Sequence, residues 1–226
     1  MSVAIELRNL KQHYSGKVDT ELQFNDWQVQ RGDKVFLHGD SGSGKSTLLN
    51  LISGVLTPTS GEIIILDEVT SALSNAKRDN FRAQHIGVVF QSLNLVPYLT
   101  VLKNIKLARY LAKQAQRNLV EQAKSLMNQL NLDEQVLDKK VSELSVGQQQ
   151  RIAIVRALIN QPEILLVDEP TSALDVSARD AFMSLLLNTC NENGTTLIFV
   201  SHDQHLKKYF ETCVDMTDLL KKQEAS

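Results

Sequence analysis

The sequence predicts an α/β fold: a parallel sheet with a helical subdomain inserted into it. Three observations carry this. Short strand-forming runs come early, with KVFLH at 34–38, EIIIL in 62–66 and IGVVF at 86–90. From about 92 to 160 the texture changes to Leu, Ala, Lys, Gln and Asn. The strand signal then returns as EILLV at 163–167 and TTLIFV at 195–200, with a helical stretch at 176–190 between them. Strands that alternate with helices read as parallel α/β units.

Element by element, 3–7 (VAIEL) and 20–29 (TELQFNDWQV) alternate as strands do. Arg31-Gly32-Asp33 is a turn, and KVFLH is a short buried strand that runs into a glycine-rich loop. Residues 46–56 are apolar at helical spacing and stop at Thr57-Pro58-Thr59-Ser60-Gly61. Two or three helices are expected in 101–130, another from Val146 through 151–159, and a short helical tail after His202.

Composition sets the bounds. The chain has 226 residues, 42% hydrophobic, enough for one domain with a real core. The 24 Lys and Arg nearly balance 26 Asp and Glu, for a net charge of −2. That is a poor basis for holding nucleic acid by bulk charge, and no nucleic-acid partner is expected. Cys190 and Cys213 have no metal or redox spacing and read as small packed residues in a reducing cytosol. No apolar run approaches the roughly 20 residues that span a bilayer. The first ten residues lack the apolar centre of a signal peptide. The expectation is a cytoplasmic protein whose role at any membrane requires a separate spanning partner.

The most specific motif is GDSGSGKST at 39–47, Gly39, Asp40, Ser41, Gly42, Ser43, Gly44, Lys45, Ser46 and Thr47, placed after a strand and before a helix. Gly42 and Gly44 allow a tight turn whose N–H groups face phosphate oxygens, and the helix start adds its positive dipole end. Lys45 is expected to reach the β- and γ-phosphates, and the Ser46 hydroxyl to bind Mg²⁺. Such a site needs acids at a second strand end. Two segments offer them: IIILDE at 63–68 and ILLVDE at 164–169. The second is preferred, because a complete helix and strand precede it and Asp175 follows it. Asp168 then holds Mg²⁺ and Glu169 polarises the attacking water. Asp67 and Glu68 become turn carboxylates. A third feature, LSVGQQQR at 144–151, reads as a polar loop that opens a helix, with Ser145 as N-cap.

Taken together these residues resemble the nucleotide-binding subunit of ABC transporters, over about residues 3 to 210. GDSGSGKST resembles Walker A, ILLVDE Walker B, and LSVGQ the family signature LSGGQ. Gln91 resembles the Q-loop glutamine, Ser172-Ala173-Leu174-Asp175 the D-loop, His202 the switch histidine, and Tyr14 the adenine-stacking aromatic. The resemblance implies a P-loop NTPase core, an N-terminal antiparallel β subdomain, and a helical subdomain over 92–160 between core segments 1–91 and 161–226. It implies ATP and Mg²⁺ as ligands, with Gln91 on the metal or the water and His202 on the γ-phosphate. Ser145, Gly147 and Gln148 would meet the nucleotide of a second subunit, with Asp175 at the interface of a head-to-tail homodimer.

Val146 stands where the signature usually has its first glycine. A β-branched residue does not reach positive φ cheaply, and it adds bulk. The segments FRAQHIGVVFQ, NLVPYLTVLKNI and LSVGQQQRIAIVRAL look most like the bacterial lipoprotein-releasing and macrolide-export branch. That branch implies a separate permease and a place on the cytoplasmic face of the inner membrane. The competing classes are a non-transport ABC ATPase and a catalytically silent subunit. The interval between the Walker motifs has no sustained heptads, which argues against the first. Glu169 and His202 argue against the second.

Overall fold

The computed structural model describes residues 2–14, 20–170 and 176–221. They fall into two compact units, residues 1–79 with 198–226, and residues 80–197. The helical segment expected over 92–160 lies inside the second unit, which also takes in two strands.

The first unit holds an antiparallel sheet and a parallel strand pair. Strand β1 (Val3–Tyr14) pairs antiparallel with β2 (Thr20–Gln23), β3 (Trp27–Gln30) and β5 (Ser60–Ile65). The single alternating stretch expected at 20–29 is thus two strands, broken around Phe24 to Asp26. Along β1, Ile5 and Leu7 are buried, and then Leu10 and Gln12. The parity changes at Asn9, at φ 46, where the register against β5 also shifts. The Asp26 carboxylate accepts the Asn9 N–H at 2.7 Å, which satisfies the bulge.

Strand β5 turns back into β6 (Glu68–Val69) through Leu66 and Asp67, both at positive φ (51 and 71). That is a two-residue hairpin turn of the primed kind. Asp67 and Glu68 are exposed, and Asp67 lies 3.5 Å from Arg31. The first acidic copy is therefore a surface hairpin.

Strand β4 (Lys34–His38) lies parallel to β10 (Thr212–Asp215), and helix α1 (Lys45–Ile52) follows β4 through the glycine loop. Phe36 of β4 packs its ring against Phe210 at 5.4 Å and Phe199 at 6.4 Å. The tail after His202, expected to be helical, begins with a 3-10 helix at Gln204–Tyr209 and ends with one α-helical turn, α7 (Met216–Leu219), but the strand β10 lies between them.

Helix α2 (Asn75–His85) runs across the division between the units. The second unit then contains β7 (Ile86–Val89) parallel to β8 (Ile164–Asp168), with α3 (Val101–Leu111), α4 (Leu119–Gln129), α5 (Val146–Leu158) and α6 (Val176–Glu192). Thr100 caps α3 by accepting the Lys103 N–H at 3.2 Å. Strand β9 (Thr196–Val200) is buried along its length. At its start the Thr196 N–H donates to the Glu163 carbonyl (2.9 Å), and just past its end the Ser201 N–H donates to the Leu37 carbonyl (3.2 Å).

Candidate functional site

In the first unit, the loop between β4 and α1 is shaped by Gly42 and Gly44, at φ 80 and 98. Gly44 is the N-cap of α1. A Cβ there would be strained by its φ and would lie 3.1 Å from Leu22 Cδ1. Lys45 is buried, and its Nζ donates to the carbonyls of Gly39 (2.8 Å) and Asp40 (2.7 Å). The ammonium is thus folded into the hollow of its own loop. Anionic phosphate oxygens are stronger acceptors than these carbonyls and can replace them. The Ser43 hydroxyl is buried and has no hydrogen-bond partner among the described residues. A buried polar atom without a partner is costly, and an anion seated in the loop would satisfy it. The residues present therefore fit a phosphate-bearing ligand.

Two further expected residues sit close to this loop. The Tyr14 hydroxyl donates to Thr47 Oγ1 at 3.2 Å, which brings that ring beside the first turn of α1. His202 is exposed one residue past Ser201, whose N–H is held by Leu37, next to the start of the loop. Ser46 is exposed at the start of α1.

His38, which the sequence did not single out, precedes Gly39 and is buried. Its Nδ1 lies 3.3 Å from Asp215 Oδ2 and 3.4 Å from Gln204 Nε2. Burial is the main cause of a lowered His38 pKa. Lys207 and Lys45 also lower it, while Asp215 and Asp218 oppose the shift. The Asp215 carboxylate is held below its usual range chiefly by the Thr217 N–H and hydroxyl. The unfolded chain therefore takes up the His38 proton more readily than the folded one. The stability that the neutral ring contributes is complete above its unfolded pKa and is lost as pH falls through the folded value. Thermal unfolding between about pH 8 and pH 5 checks this. The wild-type melting temperature falls more steeply on acidification than that of His38→Gln.

In the second unit, β8 delivers Asp168 and Glu169 from a run of four fully buried residues, Ile164–Val167. Glu169 has φ 45, a left-handed conformation that costs a non-glycine residue about 1–2 kcal/mol. Strain of this kind concentrates where a side chain must be aimed. The Gln150 amide of α5 donates to the Pro170 carbonyl, just beyond Glu169. Gln91 is exposed after β7.

At the N-terminus of the same helix, Ser145 and Gln148 form a reciprocal capping box. The Ser145 hydroxyl accepts the Gln148 N–H (3.3 Å), and the Gln148 side chain accepts the Ser145 N–H (3.0 Å). Val146 and Gly147 are the first residues of the helix, and neither has positive φ. The concern that a β-branched residue would be strained at Val146 is therefore corrected: helical φ suits it. What remains is bulk, with the Val146 side chain exposed at the helix start. Asp175 and the segment Ser172-Ala173-Leu174 lie outside the described residues. Among the described residues no three acidic, histidine or cysteine side chains cluster as a metal cage.

A model of the ABC transporter family matches residues 22–172. The chain belongs to that family, as an ATP-binding subunit and an ATPase. It is 38% identical over 197 residues to YbbA of Escherichia coli K12, an uncharacterized ABC transporter ATP-binding protein, covering 87% of this chain and 86% of YbbA. It is 37% identical over 217 residues to the macrolide export ATP-binding/permease protein MacB of Pasteurella multocida, covering 95% of this chain and 33% of MacB. The dimeric post-hydrolysis structure of the ATP-binding cassette MJ0796, bound to ADP and Pi, superposes with a TM-score of 0.86 at 34% identity, covering 97% of each chain. MJ0796 comes from Methanocaldococcus jannaschii.

Proposed function

We propose that this chain powers a separate membrane permease by binding ATP–Mg²⁺ in the Gly39–Thr47 loop, pairing with a second copy of itself, and hydrolysing the nucleotide with Glu169. The observation that carries the reading is Lys45, buried in its glycine loop beside the orphaned Ser43 hydroxyl. Tyr14 stacks on the base, and Lys45 holds the β- and γ-phosphates. Ser46, Asp168 and Gln91 supply oxygen ligands of the kind Mg²⁺ takes. When bound, the ion neutralises charge on the phosphate oxygens. Glu169 accepts a proton from water as the water oxygen bonds to the γ-phosphorus and the bond to the bridging oxygen of ADP breaks. His202 contacts the γ-phosphate. Ser145, Gly147 and Gln148 meet the γ-phosphate bound by the partner subunit, and Asp175 lies at the dimer interface.

The permease docks on the second unit around Gln91 and residues 92–105. Exposed Tyr98 lies in that segment, and exposed Leu107, Tyr110 and Leu111 follow it on α3. Among the described residues no helix is long and apolar enough to cross a membrane. The chain acts from the cytoplasmic face of the inner membrane, in an exporter of the lipoprotein-releasing or macrolide type, a reading favoured by its likeness to MacB. Coupling requires ATP to bind the closed dimer more tightly than the open one.

The test is to read the neighbouring reading frames for a membrane protein and to co-express it with this chain. The two co-purify in detergent, and ATP turnover changes on assembly. A chain that hydrolyses ATP at full rate alone and associates with ribosomes or DNA instead belongs to the non-transport class.

A further inference from the structure

Helix α5 makes a second contact that the catalytic reading does not use. Arg156 lies near its C-terminal end and donates through its guanidinium to two successive carbonyls, Leu93 (2.7 Å) and Asn94 (2.6 Å). Both acceptor residues are left-handed, at φ 57 and 49. Leucine is strained in this region, and asparagine, which tolerates it better, still pays more than glycine, so a grip on both carbonyls lowers the cost of the shape. The turn they end also contains Gln91: the Leu93 N–H donates to the Phe90 carbonyl (2.8 Å), and the Asn94 N–H to the Ser92 carbonyl (2.7 Å). A planar fork that bonds two adjacent carbonyls at once suits arginine and no other side chain.

The base of this clamp is rigid. A Cβ on Gly87 of β7 would lie 2.5 Å from the Ala157 carbonyl, so helix and strand meet backbone to backbone beside Arg156. The Asn160 amide, just past the helix, donates to the carbonyls of Ala83 and Ala108, each at 3.1 Å. Burial lowers the Arg156 pKa from its ordinary value, but a guanidinium remains charged.

We propose that Arg156 is a positioning residue for ATP hydrolysis: by gripping the Leu93 and Asn94 carbonyls it holds the Gln91 turn in a strained shape and ties that turn to the helix that Ser145 caps. The proposal rests on the reading of Gln91 as a residue of the nucleotide site.

The experiment measures steady-state ATPase of the full chain for wild type, Arg156→Lys, Gln91→Ala, the double variant, and Arg156→Lys with Asn94→Gly. Thermal unfolding confirms that each is folded. Lysine keeps the charge and loses the fork. Arg156→Lys lowers kcat about ten-fold with KM for ATP within about two-fold, as expected for a displaced site group. On the Gln91→Ala background it causes little further loss, because both changes disable one element. Asn94→Gly restores much of the lost rate, since glycine holds the left-handed turn without help. Losses that multiply, a rise in KM at unchanged kcat, or no rescue by glycine overturn the clamp while leaving Gln91 in place. If Gln91→Ala alone leaves turnover unchanged, the assignment of Gln91 itself is wrong, and the clamp falls with it.

Discussion

Lys45→Ala weakens ATP binding about a hundred-fold and abolishes measurable turnover. The change removes the cation that the loop holds against the Gly39 and Asp40 carbonyls. Charge-assisted bonds to phosphate are roughly twice as strong as neutral ones, and truncating one partner of an enclosed charge pair costs about 2–5 kcal/mol, or about 1.5 to 3.5 orders of magnitude in affinity. The fold survives, because α1 is anchored by buried Leu48, Leu49, Leu51 and Ile52 rather than by the lysine stem. Calorimetric titration with ATP–Mg²⁺ measures the loss, and a thermal melt without nucleotide confirms the fold. Unchanged affinity would remove the loop from the site.

Glu169→Gln gives the second large effect, and it separates binding from chemistry. The amide keeps the size and the hydrogen-bonding reach of the carboxylate but cannot take a proton from water. General-base catalysis is worth about 10²–10⁴-fold, so kcat falls by that order while affinity for ATP holds. With hydrolysis blocked, ATP accumulates in the bound state, and the variant elutes as a dimer in ATP but not in ADP. Size-exclusion chromatography with both nucleotides reads this directly. Wild-type turnover no faster than that of the variant, even with the permease present, would mean that the chain uses ATP only to hold two copies together.

Much of this was legible in the sequence because it depends on local chemistry. Gly42 and Gly44 both sit at positive φ, which the motif demands locally, and Ser145 with Gln148 spells a capping box at the correct spacing. The choice between two acidic copies was also legible: Leu66 and Asp67 form a hairpin turn, while Asp168 ends a buried strand. What escaped depends on distance or on weak patterning. Helix α2 buries only Arg78, so it carries no apolar stripe to detect. Strand β10 is short and follows a charged stretch, and its evidence is its pairing with β4. Arg156 grips backbone carbonyls 62 and 63 positions away, and backbone acceptors leave no mark in a sequence. The same holds for Gln150 and the Pro170 carbonyl. Val146 shows the opposite error: a glycine in a family motif suggested a need for positive φ, but the position is the first turn of a helix.

In the proposed function, Gly39–Thr47, Asp168–Glu169 and Ser145–Gln148 all serve one ATP site completed by two copies of the chain. Hydrogen exchange of the Glu169→Gln variant, read by mass spectrometry with and without ATP–Mg²⁺, tests it directly. Exchange slows in peptides spanning all three segments on adding ATP, with the effect at Ser145–Gln148 appearing only at protein concentrations that support the dimer. Protection confined to other parts of the chain, or none in the Gly39–Thr47 peptide at saturating ATP, would contradict it.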